Sequence, residues 1–153
     1  MARRKVVLVI VEGVSDETAL GVALSKIFDK DTVYIHIMHG DITTRNNIKP
    51  QNIVATLGED IKNYAASRHY TQQDFRQIIH IVDTDGVYIP DDKIIEDKSC
   101  EEVIYEEEGI YTANADRIAA RNLQKRESIF RLRGCNKIWE IPYRVYYMSC
   151  NLV

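Results

Sequence analysis

The stretch Val6–Leu20, VVLVIVEGVSDETAL, starts as an apolar run and continues as an amphipathic helix, with the acidic turn Glu12-Gly13-Val14-Ser15-Asp16 between them. The Val-rich run Lys5–Val11 suits a strand covered on both faces, as in a parallel sheet. From Asp16 to Phe28, residues Leu20, Ala23, Leu24, Ile27 and Phe28 recur at helical spacing, and Ser15 or Asp16 can cap that helix. A carboxylate closing a buried strand costs several kcal/mol unless paired or solvated, so Glu12 is hard to read as a plain strand stop.

Working outward, Val33–Met38 (VYIHIM) predicts a second strand and HGDITTRNNIKPQN a loop, with Pro50 near the start of the next helix. Ile53, Val54, Leu57, Ile61, Tyr64 and Ala65 form that helix's stripe, which Gly58 weakens. Ile78–Val82 (IIHIV) predicts a third buried strand that ends in Asp83-Thr84-Asp85-Gly86. Residues 87–113 read as an acidic insertion, Asn114 to about Phe130 as a third helix, and Pro142–Met148 (PYRVYYM) as a fourth strand. The order β-α-β-α-β-insertion-α-β predicts an α/β fold in a single domain over residues 1–153. Its sheet is expected to be mainly parallel, with about four strands and helices on both faces. In such sheets, sites gather beyond the carboxyl ends of strands, where Glu12 and Asp83 both fall.

A chain of 153 residues can bury a real core, and 45% hydrophobic with 28% charged residues is ordinary for a globular protein. The net charge of −3 excludes a global basic signature for nucleic acid, though a cation or a local patch can supply a positive field. Charge is segregated. Residues 91–108 carry nine Asp or Glu against two Lys, a local balance of −7, whereas residues 114–137 carry +5. Arg117, Arg121 and Lys125 are four apart and read as one helical face, for phosphate contact, for solvation or for pairing with the acidic segment. Cys100, Cys135 and Cys150 lack the spacing of a zinc site or disulfide framework, and a cytoplasmic location is expected. The short apolar start enters an acidic turn without a cleavage site, and no run is long enough to span a membrane. His36 and His80 read as packed strand residues, and Tyr143, Tyr146 and Tyr147 as sheet residues with polar tips. The end at SCNLV, directly after a strand, leads us to expect further residues downstream.

Two strand ends thus carry carboxylates, Glu12 with Asp16 and Asp83 with Asp85. Converging carboxylates repel one another unless a counter-charge intervenes, and oxygen ligands without His or Cys favour Mg2+ or Mn2+. Gly86 permits the turn that lets Asp83 and Asp85 address one ion, and Gly13 allows close approach of a phosphate, as Gly86 does. Asp16 is equally a helix cap, and Asp85 equally a turn residue.

Strand-EGxxD-helix followed about 70 residues later by strand-DxDG resembles the Toprim domain, here in LVIVEGVSDETAL and IIHIVDTDG, and is most similar to its OLD-like nuclease branch. The resemblance covers residues 4–88. It implies a Toprim-like fold and a metal-dependent nuclease acting on DNA, in phage defence or repair. It also implies Glu12 as general acid/base and ligand, Asp83 and Asp85 as metal ligands, and Asp16 as the additional OLD-type ligand. OLD nucleases carry an ATPase domain ahead of Toprim, and this chain has no Walker A motif, so it resembles a stand-alone Toprim protein or an excised domain, for which a separate ATPase or other protein could be a partner. Two alternatives stand beside this reading. One is a non-catalytic Toprim scaffold that binds protein or nucleic acid. The other is a HAD-like phosphatase, whose nucleophile motif DxDG resembles but would place near the chain start.

Overall fold

A computed structural model describes residues 3–29, 33–39, 42–45, 47–84 and 86–148; of residues 14–17, 19 and 33–39 only the backbone is described. The elements run β1 (Lys5–Val11), α1 (Val14–Ile27), β2 (Val33–His39), α2 (Ile53–Ser67), β3 (Phe75–Asp83), β4 (Ile94–Glu96), β5 (Ile104–Glu106), β6 (Gly109–Thr112), α3 (Ala115–Arg133), β7 (Lys137–Ile138) and β8 (Ile141–Met148). The architecture is α/β. The main sheet has the order β2-β1-β3-β8-β7, in which β2, β1, β3 and β8 are mutually parallel and β7 is antiparallel to β8. It is therefore a mixed sheet of five strands, where about four mainly parallel ones were expected. The extra strand arises because Lys137–Ile138 and Ile141 onward form a hairpin around Trp139 and Glu140, both at positive φ (51° and 59°).

β1 is paired on both edges, and its residues from Val6 to Val11 are all buried, which is what its unbroken Val-rich run required. Its alternate side chains serve two cores. Val6, Leu8 and Ile10 join Ile53, Leu57, Ile61 and Ala65 of α2, together with Leu132 of α3. Val7, Val9 and Val11 join Leu24 of α1, with Leu20 and Phe28 against it. Helices thus cover both faces. Ile27, at 73% exposure, is off the α1 stripe, which narrows to Leu20, Leu24 and Phe28 at four-residue steps. Burial of each large aliphatic side chain contributes about 1.5–3 kcal/mol.

The segment after β2 is more than a solvent loop. Ile42 and Ile48 enter the α2-side core, Arg45 pairs with Asp60 at 3.1 Å, and Gln124 of α3 donates to the Ile48 carbonyl at 2.9 Å. The acidic insertion folds into a small sheet, β4-β6-β5, and Ile94 and Ile110 pack it on Ile118 of α3. Among the described residues no helix is long and apolar enough to cross a membrane. Cys100 and Cys135 are free thiols, and Cys150 lies outside the described residues.

The amino-terminal edge of the sheet is held by Asp74, just ahead of β3. Its carboxylate accepts the Thr71 N–H at 2.8 Å and the Thr71 hydroxyl at 2.9 Å, and Arg3 lies 3.1 Å away. The Thr71 N–H, opposed by desolvation and helped by the Thr71 hydroxyl, Arg3 and Lys5, holds this carboxyl below the usual aspartate range. The folded state therefore favours the anion. The stability it contributes is present above the ordinary value of 3.8 and is lost as pH falls through the lowered folded value. Asp74→Asn is expected to be less stable than the parent at neutral pH, with the gap closing in acid, as urea melts across that pH range would read. A second test concerns Gly58 in α2, where an added Cβ would meet only Ile138 Cγ2, at 3.7 Å. Gly58→Ala is expected to raise stability by about 0.5–1 kcal/mol in the same melts.

Candidate active site

The strand order makes the boundary between β1 and β3 a switch point. α1 carries the chain from β1 outward to β2, and α2 carries it back across to β3 on the opposite face. In open α/β sheets a crevice forms at such a boundary, beyond the carboxyl ends of the strands. Glu12 is the first residue past β1 and Asp83 the last residue of β3. Glu12 Oε1 accepts the backbone N–H of Asp83 at 3.1 Å, so the Glu12 carboxylate meets the main chain of the second predicted residue.

α3 supplies the counter-charge. Its inward face comprises Ile118, Asn122, Lys125, Ser128, Ile129 and Leu132, all buried. Lys125 Nζ lies 3.3 Å from Glu12 Oε1, with side-chain exposures of 0% for the lysine and 14% for the glutamate. This corrects the assignment of Lys125 to a solvent-facing basic stripe with Arg117 and Arg121. Residues four apart on an α-helix are offset by about 40°, so Lys125 is rotated about 80° from Arg117. Arg117 is exposed, Arg121 is half-buried and donates to Asn122 Oδ1 at 3.4 Å, and Lys125 turns into the core. The steps from Ile118 through Asn122, Lys125 and Ile129 to Leu132 are four, three, four and three. That spacing places Lys125 on the apolar face and is the signal by which the sequence could have revealed it.

The same seam is polar beyond the ion pair. Asn122 Nδ2 and Ser128 Oγ are buried without a hydrogen-bond partner among the described residues, each at a cost of about 1–3 kcal/mol. A helix packed for stability alone would carry apolar residues there, and local departures of this kind concentrate at functional sites. Thr84, buried between the two predicted aspartates, ties the end of β3 to that of β8. Its N–H and hydroxyl both donate to the Met148 carbonyl, at 3.1 and 2.8 Å. Deeper in the sheet, His80 Nδ1 bonds the Tyr143 hydroxyl at 2.8 Å, and burial pushes that phenol far above its ordinary range.

The backbone of α1 begins at Val14, ahead of both expected capping residues, so Asp16 stands in the first turn. The Asp16 side chain and all of Asp85 lie outside the described residues. Among the described residues, no three His, Cys, Asp or Glu side chains gather as a metal-binding group. Gly13 is a half-buried bend directly after Glu12. Gly86 has φ 69°, the left-handed region that favours glycine, and a Cβ there would press on Ile89 Cδ1 and Tyr105 Cδ1 at 3.1 Å.

A fully buried ammonium depends on its counter-charge, whereas Glu12 retains the Asp83 N–H and some solvent. Glu12→Gln is therefore expected to destabilise by about 3–5 kcal/mol, with a smaller loss for Lys125→Met. The double variant should recover most of the Glu12→Gln deficit in urea denaturation. Equal losses in the two single variants would refute this asymmetry. Comparisons of the chain with protein-family models, with curated proteins and with solved structures find no match.

Proposed function

We propose that this chain is a metal-dependent phosphodiester hydrolase acting on nucleic acid, with DNA as the favoured polymer, built as an OLD-like Toprim domain. The observation that supports this reading is the contact between Glu12 and Asp83 at the switch point of the sheet. Glu12, Asp16, Asp83 and Asp85 would hold Mg2+ or Mn2+, an all-oxygen donor set suited to a hard cation. The ion would polarise the phosphodiester and lower the pKa of a bound water. Glu12 acts as ligand and general acid/base. Its Oε1 is anchored by the Asp83 N–H and by Lys125, which orients the carboxylate before substrate arrives. Lys125 is a positioning residue, and its charge offsets repulsion between Glu12 and Asp83. Gly13 and Gly86 border the crevice where a phosphate would approach.

One observation favours a second reading. Glu12 already faces a buried cation of the protein itself, so the strand end can be neutralised without a metal. On that reading the chain is a scaffold that binds nucleic acid or protein, a separate ATPase among them, without cleaving.

Incubation of purified protein with supercoiled plasmid and Mg2+ or Mn2+ tests the two. Nicking is expected. It should fall by roughly 100-fold or more in a variant carrying Asp83→Ala and Asp85→Ala that still shows a cooperative urea transition. Nicking that survives both substitutions refutes the hydrolase. Folded protein that leaves plasmid intact under every metal condition supports the scaffold.

A further inference from the structure

The polar face of α3 serves Glu12, but a second face of the same helix is open and carries an unusual mixture of side chains. Leu123, Arg126, Phe130 and Arg133 follow one another at steps of three, four and three, and so share a face. With Tyr88 and Arg131 they line a groove of about 720 Å3, bounded on its far side by the 3₁₀ turn Pro50–Asn52. Phe130 is 77% exposed, Tyr88 54% and Leu123 50%. A phenylalanine ring left this open gains nothing for the fold. In the groove it stands among three guanidinium groups and the single carboxylate of Glu127.

The groove borders the turn that follows β3. Tyr88 lies in the turn that follows Asp83, and Arg126 fixes that turn by donating to the Val87 carbonyl at 2.8 Å. Arg126 is one residue from Lys125, so successive residues of α3 address Glu12 and the groove. Arg131 and Arg133 are exposed, and the Arg133 guanidinium lies 5.6 Å over the ring of Tyr147, itself 45% exposed. Exposed rings and guanidinium groups thus lie side by side on this face.

We infer that this groove binds single-stranded nucleic acid, with unpaired bases stacked on Phe130 and Tyr88 and phosphates held by Arg131 and Arg133. The inference deepens the hydrolase reading above and rests on it for the class of polymer. Charge complementarity selects the occupant, since the lining is net cationic in a chain whose total charge is −3. Exposed rings beside guanidinium groups fit unpaired bases, whereas a duplex keeps its base faces stacked internally.

Fluorescence anisotropy of short labelled oligothymidylate and oligouridylate, in EDTA to prevent cleavage, tests the groove. The matching duplex serves as control. Single strands should bind more tightly than duplex, and the two oligonucleotides decide between DNA and RNA as the source. Phe130→Ala should weaken single-strand binding by roughly 5- to 100-fold, and Phe130→Tyr should retain it. Changing Arg131 and Arg133 together to Gln should reduce the slope of log affinity against log salt by about 1.4, at about 0.7 per phosphate contact. All three side chains are exposed, so these variants should melt like the parent.

Single-strand affinity unchanged by Phe130→Ala, or no binding at all, overturns the inference. So does a concentration-dependent self-association abolished by Phe130→Ala, which would give the face to a second copy. Phe130-dependent binding without plasmid nicking upholds the groove while the hydrolase reading fails. Nicking with Phe130-independent binding does the reverse.

Discussion

A lysine ammonium with no solvent exposure must find a counter-charge inside the protein, and in this chain Glu12 provides it at 3.3 Å. That requirement couples three elements far apart in sequence. Glu12 closes β1, Asp83 closes β3 and donates its N–H to Glu12, and Lys125 descends from α3. Packing α3 on apolar contacts alone would leave its rotation free within the tolerance of Ile129 and Leu132. The ion pair sets it to one value, because a rotated helix would leave the charge in the core uncompensated. With the rotation set, the face bearing Leu123, Arg126, Phe130 and Arg133 is directed to solvent, toward Tyr88 and the turn after β3.

The two ends of the sheet divide the work. At the amino-terminal edge, Asp74 binds Thr71 and Arg3, an arrangement that holds the start of β3 against the chain ahead of β1. At the carboxyl edge the polar groups are less completely satisfied. Among the described residues, Asn122 Nδ2 and Ser128 Oγ have no hydrogen-bond partner, and the Glu12 carboxylate reaches across the switch point to the Asp83 N–H. Stability favours the arrangement at the first edge, whereas the second bears a cost that packing alone does not explain. Its position matches the place where open α/β sheets bind ligands.

The charge segregation in the second half of the chain also takes on a structural meaning. The acidic stretch is a three-stranded sheet seated on the first turns of α3 by Ile94, Ile110 and Ile118. It meets the basic helix with Glu96, which accepts from Ala115 N–H at 3.4 Å, and with Asp91, 4.0 Å from Arg126. Arg131 and Arg133, in the last turns of α3, are exposed beyond the reach of that sheet. A local basic face thus survives in a protein of net negative charge.

Much of this was legible in the sequence. The apolar run of β1 determined a strand buried on both faces, because every alternate side chain needed a core. The four-residue steps of Ile53, Leu57, Ile61 and Ala65 determined the buried stripe of α2. Motif position alone placed Glu12 and Asp83 at strand ends. The insertion's strands were hidden because β5 is wholly exposed and β4 largely so, which leaves little hydrophobic period to read. The β7–β8 hairpin was hidden because its turn uses Trp139 and Glu140, where Asn-Gly would have announced it. Lys125 was read by its charge as a surface residue, and only the tertiary structure decided otherwise. A local sequence sets which residues can share a helical face, but the burial of that face depends on what the rest of the chain places opposite it, here a carboxylate 113 residues away.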